Sequence, residues 1–153
     1  MAKIVIPGID RLKEWVGKEV VVTDWLSVTQ ERIDEFAAAT GDDQWIHVDR
    51  GRAARESPYG TTVAHGFLTL SLLPHLMREA VDLQGARMGI NYGLNRVRFT
   101  APVPAGSRVR ARFRLAAAEV IEGGMQTVWS VTVEREGEAK PVLVAEWVTQ
   151  RHE

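Results

Sequence analysis

The chain has 153 residues, 45% of them hydrophobic and 25% charged, with a net charge of −1. That length fits one domain with a sizeable core, and nothing in the near-neutral balance calls for nucleic acid or an anionic membrane. The chain has no cysteine, which excludes disulfides, thiolate metal sites and a cysteine nucleophile, and no apolar run approaches the ~20 residues of a membrane span.

The N-terminal "MAKIVIPGID" carries one lysine and a short apolar run broken by Pro7 and Gly8. This is unlike a signal peptide, so a cytoplasmic protein is expected. A short helical turn precedes a strand that begins near Glu19 and runs through "VVVTDWLSV", rich in β-branched residues. Thr29 suits the N-cap of the next helix, with Glu31 in its first turn. Ile33, Phe36, Ala37 and Thr40 share one face, and Gly41 is a natural residue to end the helix. Residues 42–61 have no clean period; a short helix over Arg50 to Glu56 is expected, followed by turn signals at Ser57-Pro58 and Gly60.

From Gly66 the string "GFLTLSLLPHLMREA" reads as a helix apolar on nearly all sides, hence buried, with a kink or early stop possible at Pro74. Period-two segments follow near 88–100, 107–121, 125–135 and 141–150, separated by Pro- and Gly-containing turns. In "RVRARFRLA", Val109, Ala111, Phe113 and Leu115 alternate with Arg108, Arg110, Arg112 and Arg114. The arginine stripe reads as a solvated sheet face, with coenzyme A phosphates as the alternative. One apolar helix needs an apolar sheet face around it. The expected architecture over residues 1–153 is therefore a single α+β domain with a curved antiparallel sheet wrapped around one long central helix.

The stretch "TGDDQWIHVD", Thr40 to Asp49, carries the chemistry. Asp42 and Asp43 follow a helix C-terminus, where the helix dipole is unfavourable to acids. A local rule broken without visible gain points to function. That field, and burial beneath Trp45, should raise a carboxyl's pKa there and make it useful as a general acid or base. His47 titrates near neutrality already. In an irregular loop Asp42 and His47 can converge on one water. Asp43 and Asp49 read as solvated turn residues. His65 is the one candidate to join them around Zn²⁺ or Fe²⁺, but no histidine stands at helical spacing, and neither a metal nor another cofactor is expected.

Phe36, Gly41-Asp42, His47 and then His65-Gly66 before the central helix resemble the MaoC-like dehydratases, the (R)-specific enoyl-CoA hydratases. "NYGLNRVRFTAPVPAGSRV" is similar to that family's strand-turn-strand after the helix, so the likeness spans about residues 20–150. Gln44-Trp45 stands where many members have Asn-Pro; this matches the branch that resembles nodulation protein N and bears on substrate identity more than on chemistry. The resemblance implies a hot-dog fold and reversible addition of water to a trans-2-enoyl thioester, giving the (3R)-hydroxyacyl thioester. It assigns Asp42 and His47 to the water, without saying which is acid and which base. Gly66 would offer a free N–H at a helix start, and close approach, to the thioester oxyanion. Asn91 and Phe99 fall where members contact the thioester and pantetheine. His65 reads as structural, or as shaping the oxyanion loop.

The expected partners are an acyl-CoA or acyl carrier protein thioester and a second copy of the chain, in a homodimer, since sheet edges must be covered. A hot-dog thioesterase and a non-catalytic acyl-thioester binding protein are the alternatives. The first lacks an acid within 66–78, and the second would not need both Asp42 and His47.

Overall fold

In the computed structural model, residues 2–153 are described. Short strand β1 (Ile4–Ile6) leads through a 3₁₀ helix (Ile9–Trp15) to β2 (Glu19–Val22) and β3 (Leu26–Ser27). Helices α1 (Gln30–Thr40), α2 (Trp45–Val48) and α3 (Arg50–Glu56) come next. The central helical segment is α4 (Gly66–Ser71) and α5 (Leu73–Ala80), running into β4 (Val81–Leu83). Long strands β5 (Met88–Arg98), β6 (Arg108–Ile121), β7 (Gly124–Arg135) and β8 (Leu143–His152) complete the chain.

The main sheet is antiparallel throughout, in the order β2-β6-β7-β8-β5, with β3 also on β6. Its inner face carries Phe113, Leu115, Trp129, Val131, Leu143 and Trp147, all buried. Leu68, Leu72, Leu73, Leu76 and Met77 of the central segment join the same apolar cluster. Phe113 stands edge-on to Trp129, centroids 6.2 Å apart. Register breaks within β5 (Asn91/Gly93, Leu94/Arg96) and β6 (Leu115/Ala117) add local bend to long strands. An antiparallel sheet curled about a central helix is the hot-dog fold expected from the sequence.

Three details depart from expectation, and a fourth, at Pro74, is the kink or early stop that the sequence allowed. The first strand is interrupted: Thr23 spends its hydroxyl on the Ala111 amide, 3.0 Å away, which separates β2 from β3. The central helix is divided at Leu72, two residues before Pro74, which has no N–H to continue the ladder. β1 and β4 form a parallel pair too short to show a sequence period. The central helix is also not covered all round, for Phe67 is 64% exposed. The arginine stripe does face outward, tied down by Glu134, Glu136 and Glu19.

Candidate active site

Helix α1 starts as expected, with the Thr29 hydroxyl accepting from the Arg32 amide at 3.1 Å. It ends on Gly41 at φ 82°, whose N–H reaches the Ala37 carbonyl at 2.8 Å. That left-handed residue turns the chain so that Asp42 faces back towards the following loop. The turn α2 then presents His47 inward, buried to 7% exposure. Its Nδ1 lies 2.7 Å from the Val63 carbonyl. A carbonyl can only accept, so Nδ1 carries the proton and Nε2 keeps its lone pair.

His65 is also buried, and its ring stacks on that of His47 with centroids 3.8 Å apart and planes at 22°. Its Nε2 donates to the Asp42 backbone carbonyl at 2.8 Å. Phe36 closes the other side of His65, centroids 4.9 Å apart. The aromatic residue of the motif therefore backs the histidine that holds the acid's backbone.

An Asp42 carboxylate oxygen and ring nitrogens of His47 and His65 all lie within 4.8 Å of one another. Two hydrogen bonds through one water span that distance. A shared metal ion fits less well. His47 Nδ1 and His65 Nε2 are already spent on carbonyls, and the lone pairs of two stacked rings lie in separate, nearly parallel planes. They cannot both aim at one ion.

Gly66 opens α4 with no side-chain cap, and its N–H has no partner among the described residues. The Phe99 ring packs on it: a Cβ at Gly66 would stand 2.7 Å from two ring atoms. His47, Gly66, Thr69 and Phe99, with Tyr59, line one cavity of about 380 Å³. The structure thus brings His47, Gly66 and Phe99 to one cavity, with Asp42 beside His47. Asn91 does not join them within one chain; it lies on β5, beside Pro74 and Trp147.

Two expectations need correction. Asp42 is exposed in the single chain rather than buried, and Trp45 does not cover it. The Trp45 ring instead stacks against the Arg52 guanidinium, 4.3 Å from its centroid. Asp49 is more than a solvated turn: it caps α3 by accepting from the Arg52 amide at 3.0 Å.

Sequence reasoning missed Gln30. Its amide nitrogen donates to the His47 backbone carbonyl and to Asp34, each at 2.8 Å. Its amide oxygen accepts from the Thr62 hydroxyl. The signal was available: Gln30, Ile33 and Ala37 share the inward stripe of α1, and a polar residue on such a stripe needs a buried partner.

A curved sheet around a helix thus carries an acid, a histidine and a free helix-start amide at one end. Residues 12–138 match the MaoC like domain family, and the chain belongs to that family. It is 53% identical to the 3-hydroxyacyl-thioester dehydratase Z of Mycobacterium tuberculosis, over 88% of this chain and 89% of that one. It is 49% identical to the nodulation protein N of Rhizobium leguminosarum, over 88% and 84%. Among solved structures, a monoamine oxidase regulatory protein of Archaeoglobus superposes with a TM-score of 0.78 at 20% identity, covering 100% of this chain and 99% of that one. No helix among the described residues is long and apolar enough to cross a membrane.

Proposed function

We propose that this chain catalyses reversible addition of water to trans-2-enoyl thioesters, giving (3R)-hydroxyacyl thioesters, and the reverse dehydration. The observation that carries this reading is the Asp42 carboxylate within 4.8 Å of a histidine ring whose Nδ1–H is engaged elsewhere. A water between them gives up a proton to one of the two groups as its oxygen bonds the β-carbon. Charge moves onto the thioester oxygen, which accepts from the Gly66 N–H at the positive end of α4. A proton then reaches the α-carbon, and the oxyanion collapses to the carbonyl. Phe99, packed on Gly66, forms the wall beside the thioester, with Asn91 as a further substrate contact.

The 53% identical relative that carries the name dehydratase supports this chemistry. The acyl group arrives on coenzyme A or on acyl carrier protein. The working form is a homodimer, in which β5 edges meet. Strand β5 is an edge, and Ile90, Tyr92 and Leu94 are exposed along it, with Phe67 nearby on the helix side. Such an edge invites pairing with a second copy. Sedimentation at micromolar concentration should give a dimer; a folded monomer would exclude it.

Loss of enoyl absorbance with crotonyl-CoA, beside a thiol-release assay, tests the activity. Absorbance loss without thiol release is the expected result. Thiol release would mean a thioesterase, and binding without either signal would mean a non-catalytic acyl-thioester protein.

A further inference from the structure

A second cavity, of about 440 Å³, lies between α5 and the inner faces of β7 and β8 and shares no lining residue with the one at His47. Its walls hold four cations, Lys3, Arg78, Arg87 and Arg151, against a single acid, Asp82. The outward arginines of β6 at 108, 110 and 112 each pair with a glutamate. Arg151 does not.

Arg151 is the unusual member. In β8, Leu143, Ala145, Trp147 and Thr149 are all buried on the inner face. Position 151 continues that row, because alternate residues of a strand share a face. Arg151 stands in register between Met125 and Gly89. Its guanidinium lies across Gly89, where any Cβ would overlap Nη1. Burial pushes its pKa below the ordinary value. Four residues along β7 from Met125, Trp129 is 4% exposed, lines the same cavity, and has a buried Nε1 with no acceptor among the described residues. Buried donors without partners are rare in folded proteins and call for an explanation.

We propose that this cavity binds a carboxylate at the far end of the substrate's acyl chain, so that the protein acts on ω-carboxy acyl thioesters. The proposal rests on the hydratase reading above. One half-buried guanidinium fork suits a planar monoanion better than a hydrated phosphate. A third cavity, of about 300 Å³ and walled by Leu70, Leu73 and Leu94, shares Pro74, Asn91 and Trp147 with the cationic one. It extends the cationic cavity along the central helix as far as Leu70, next in the chain to Thr69 of the cavity at His47. Gly66 and Met77 are eleven residues apart, about 16 Å at 1.5 Å per helical residue. An extended chain advances roughly 1.2 Å per bond, so an acyl chain of about a dozen carbons reaches.

The test compares two trans-2-enoyl-CoA substrates of that length, one ending in methyl and one in carboxylate. Wild type, Arg151→Met and Arg151→Lys are assayed, with crotonyl-CoA as a short substrate that stops before the cavity. Wild type should favour the carboxylate by ~10-fold or more in kcat/KM. Arg151→Met should abolish that preference, Arg151→Lys should keep part of it, and crotonyl-CoA turnover should be unchanged in both. Equal use of the two long substrates by wild type would overturn the proposal, even if no variant folds; so would a preference that survives Arg151→Met. Free coenzyme A losing affinity in Arg151→Met as much as the diacid does would reassign the site to phosphate and equally overturn it. If crotonyl-CoA and both long substrates go unhydrated, the hydratase reading fails separately. Calorimetry with dodecanedioate and dodecanoate then decides the site: selective diacid binding lost in Arg151→Met supports it, and no diacid binding in wild type overturns it.

Discussion

His65 stacks on His47 at 3.8 Å and donates to the backbone carbonyl of Asp42 at 2.8 Å, so one buried ring positions both members of the proposed acid–base pair. Its own Nδ1 is buried without a partner among the described residues. His65 therefore acts through its neighbours. His65→Phe keeps a ring between Phe36 and His47 but loses the bond to Asp42. A single hydrogen bond contributes about 1 kcal/mol, so the variant should fold with slightly lower Tm and lose roughly 10-fold in kcat, with KM for crotonyl-CoA nearly unchanged. Wild-type kcat in folded His65→Phe would reduce the residue to packing.

Asp42→Asn and His47→Gln keep size and hydrogen bonding while removing the titrating group. Each should lower kcat by ~10²–10⁴-fold with little change in KM. Because both groups hold the same water, the double variant should be little worse than the worse single one. Losses that multiply would mean the two act independently.

Gly66→Ala and Gly66→Pro separate space from hydrogen bonding. Both add a Cβ that must displace the Phe99 ring, but only proline removes the N–H. Proline is tolerated at a helix start, and His65, at φ −60° and ψ 138°, already has the extended backbone a following proline needs. Alanine should chiefly raise KM. Proline should in addition lower kcat by roughly 10²-fold at saturating substrate. A folded Gly66→Pro protein with near-normal kcat removes this amide from the mechanism.

Glu134 accepts from Arg112 at 2.6 Å and from Arg110 at 2.8 Å. The Arg112 bond, with help from Arg110, holds its carboxyl below the ordinary carboxylate range. A carboxyl lowered in the folded state stabilises above its unfolded pKa, and that contribution is lost as pH falls through the folded one. Partly exposed pairs contribute about 1 kcal/mol or less. Glu134→Gln should lower Tm slightly at pH 7, and its Tm should converge with wild type in acid. A gap that persists in acid would assign the effect to packing instead.

Much of this was legible in the residues alone. Thr29 and Gly41 announced the ends of α1, the Val109-to-Leu115 alternation announced the inner face of β6, and Asp42, His47 and Gly66 stood out as the residues on which the proposed site is built. Local rules suffice there, because caps and strand periods depend on neighbours in sequence. Trp45 misled because a cation from the next helix turn, Arg52, competed for its ring face. The interruption at Thr23 was invisible because the amide that engages its hydroxyl belongs to Ala111, on another strand.

The sequence by itself determined the elements, the apolar stripes and the acid–histidine spacing, since each follows from short-range periodicity and turn chemistry. Only the tertiary structure decided which proton His47 carries, because the Val63 carbonyl that holds Nδ1–H arrives from sixteen residues away. It also decided that Gln30 braces His47, that Asn91 sits apart from Asp42 within one chain, and that Arg151 turns inward with no ion pair among the described residues. These depend on side chains meeting across folded distances, which no local period encodes.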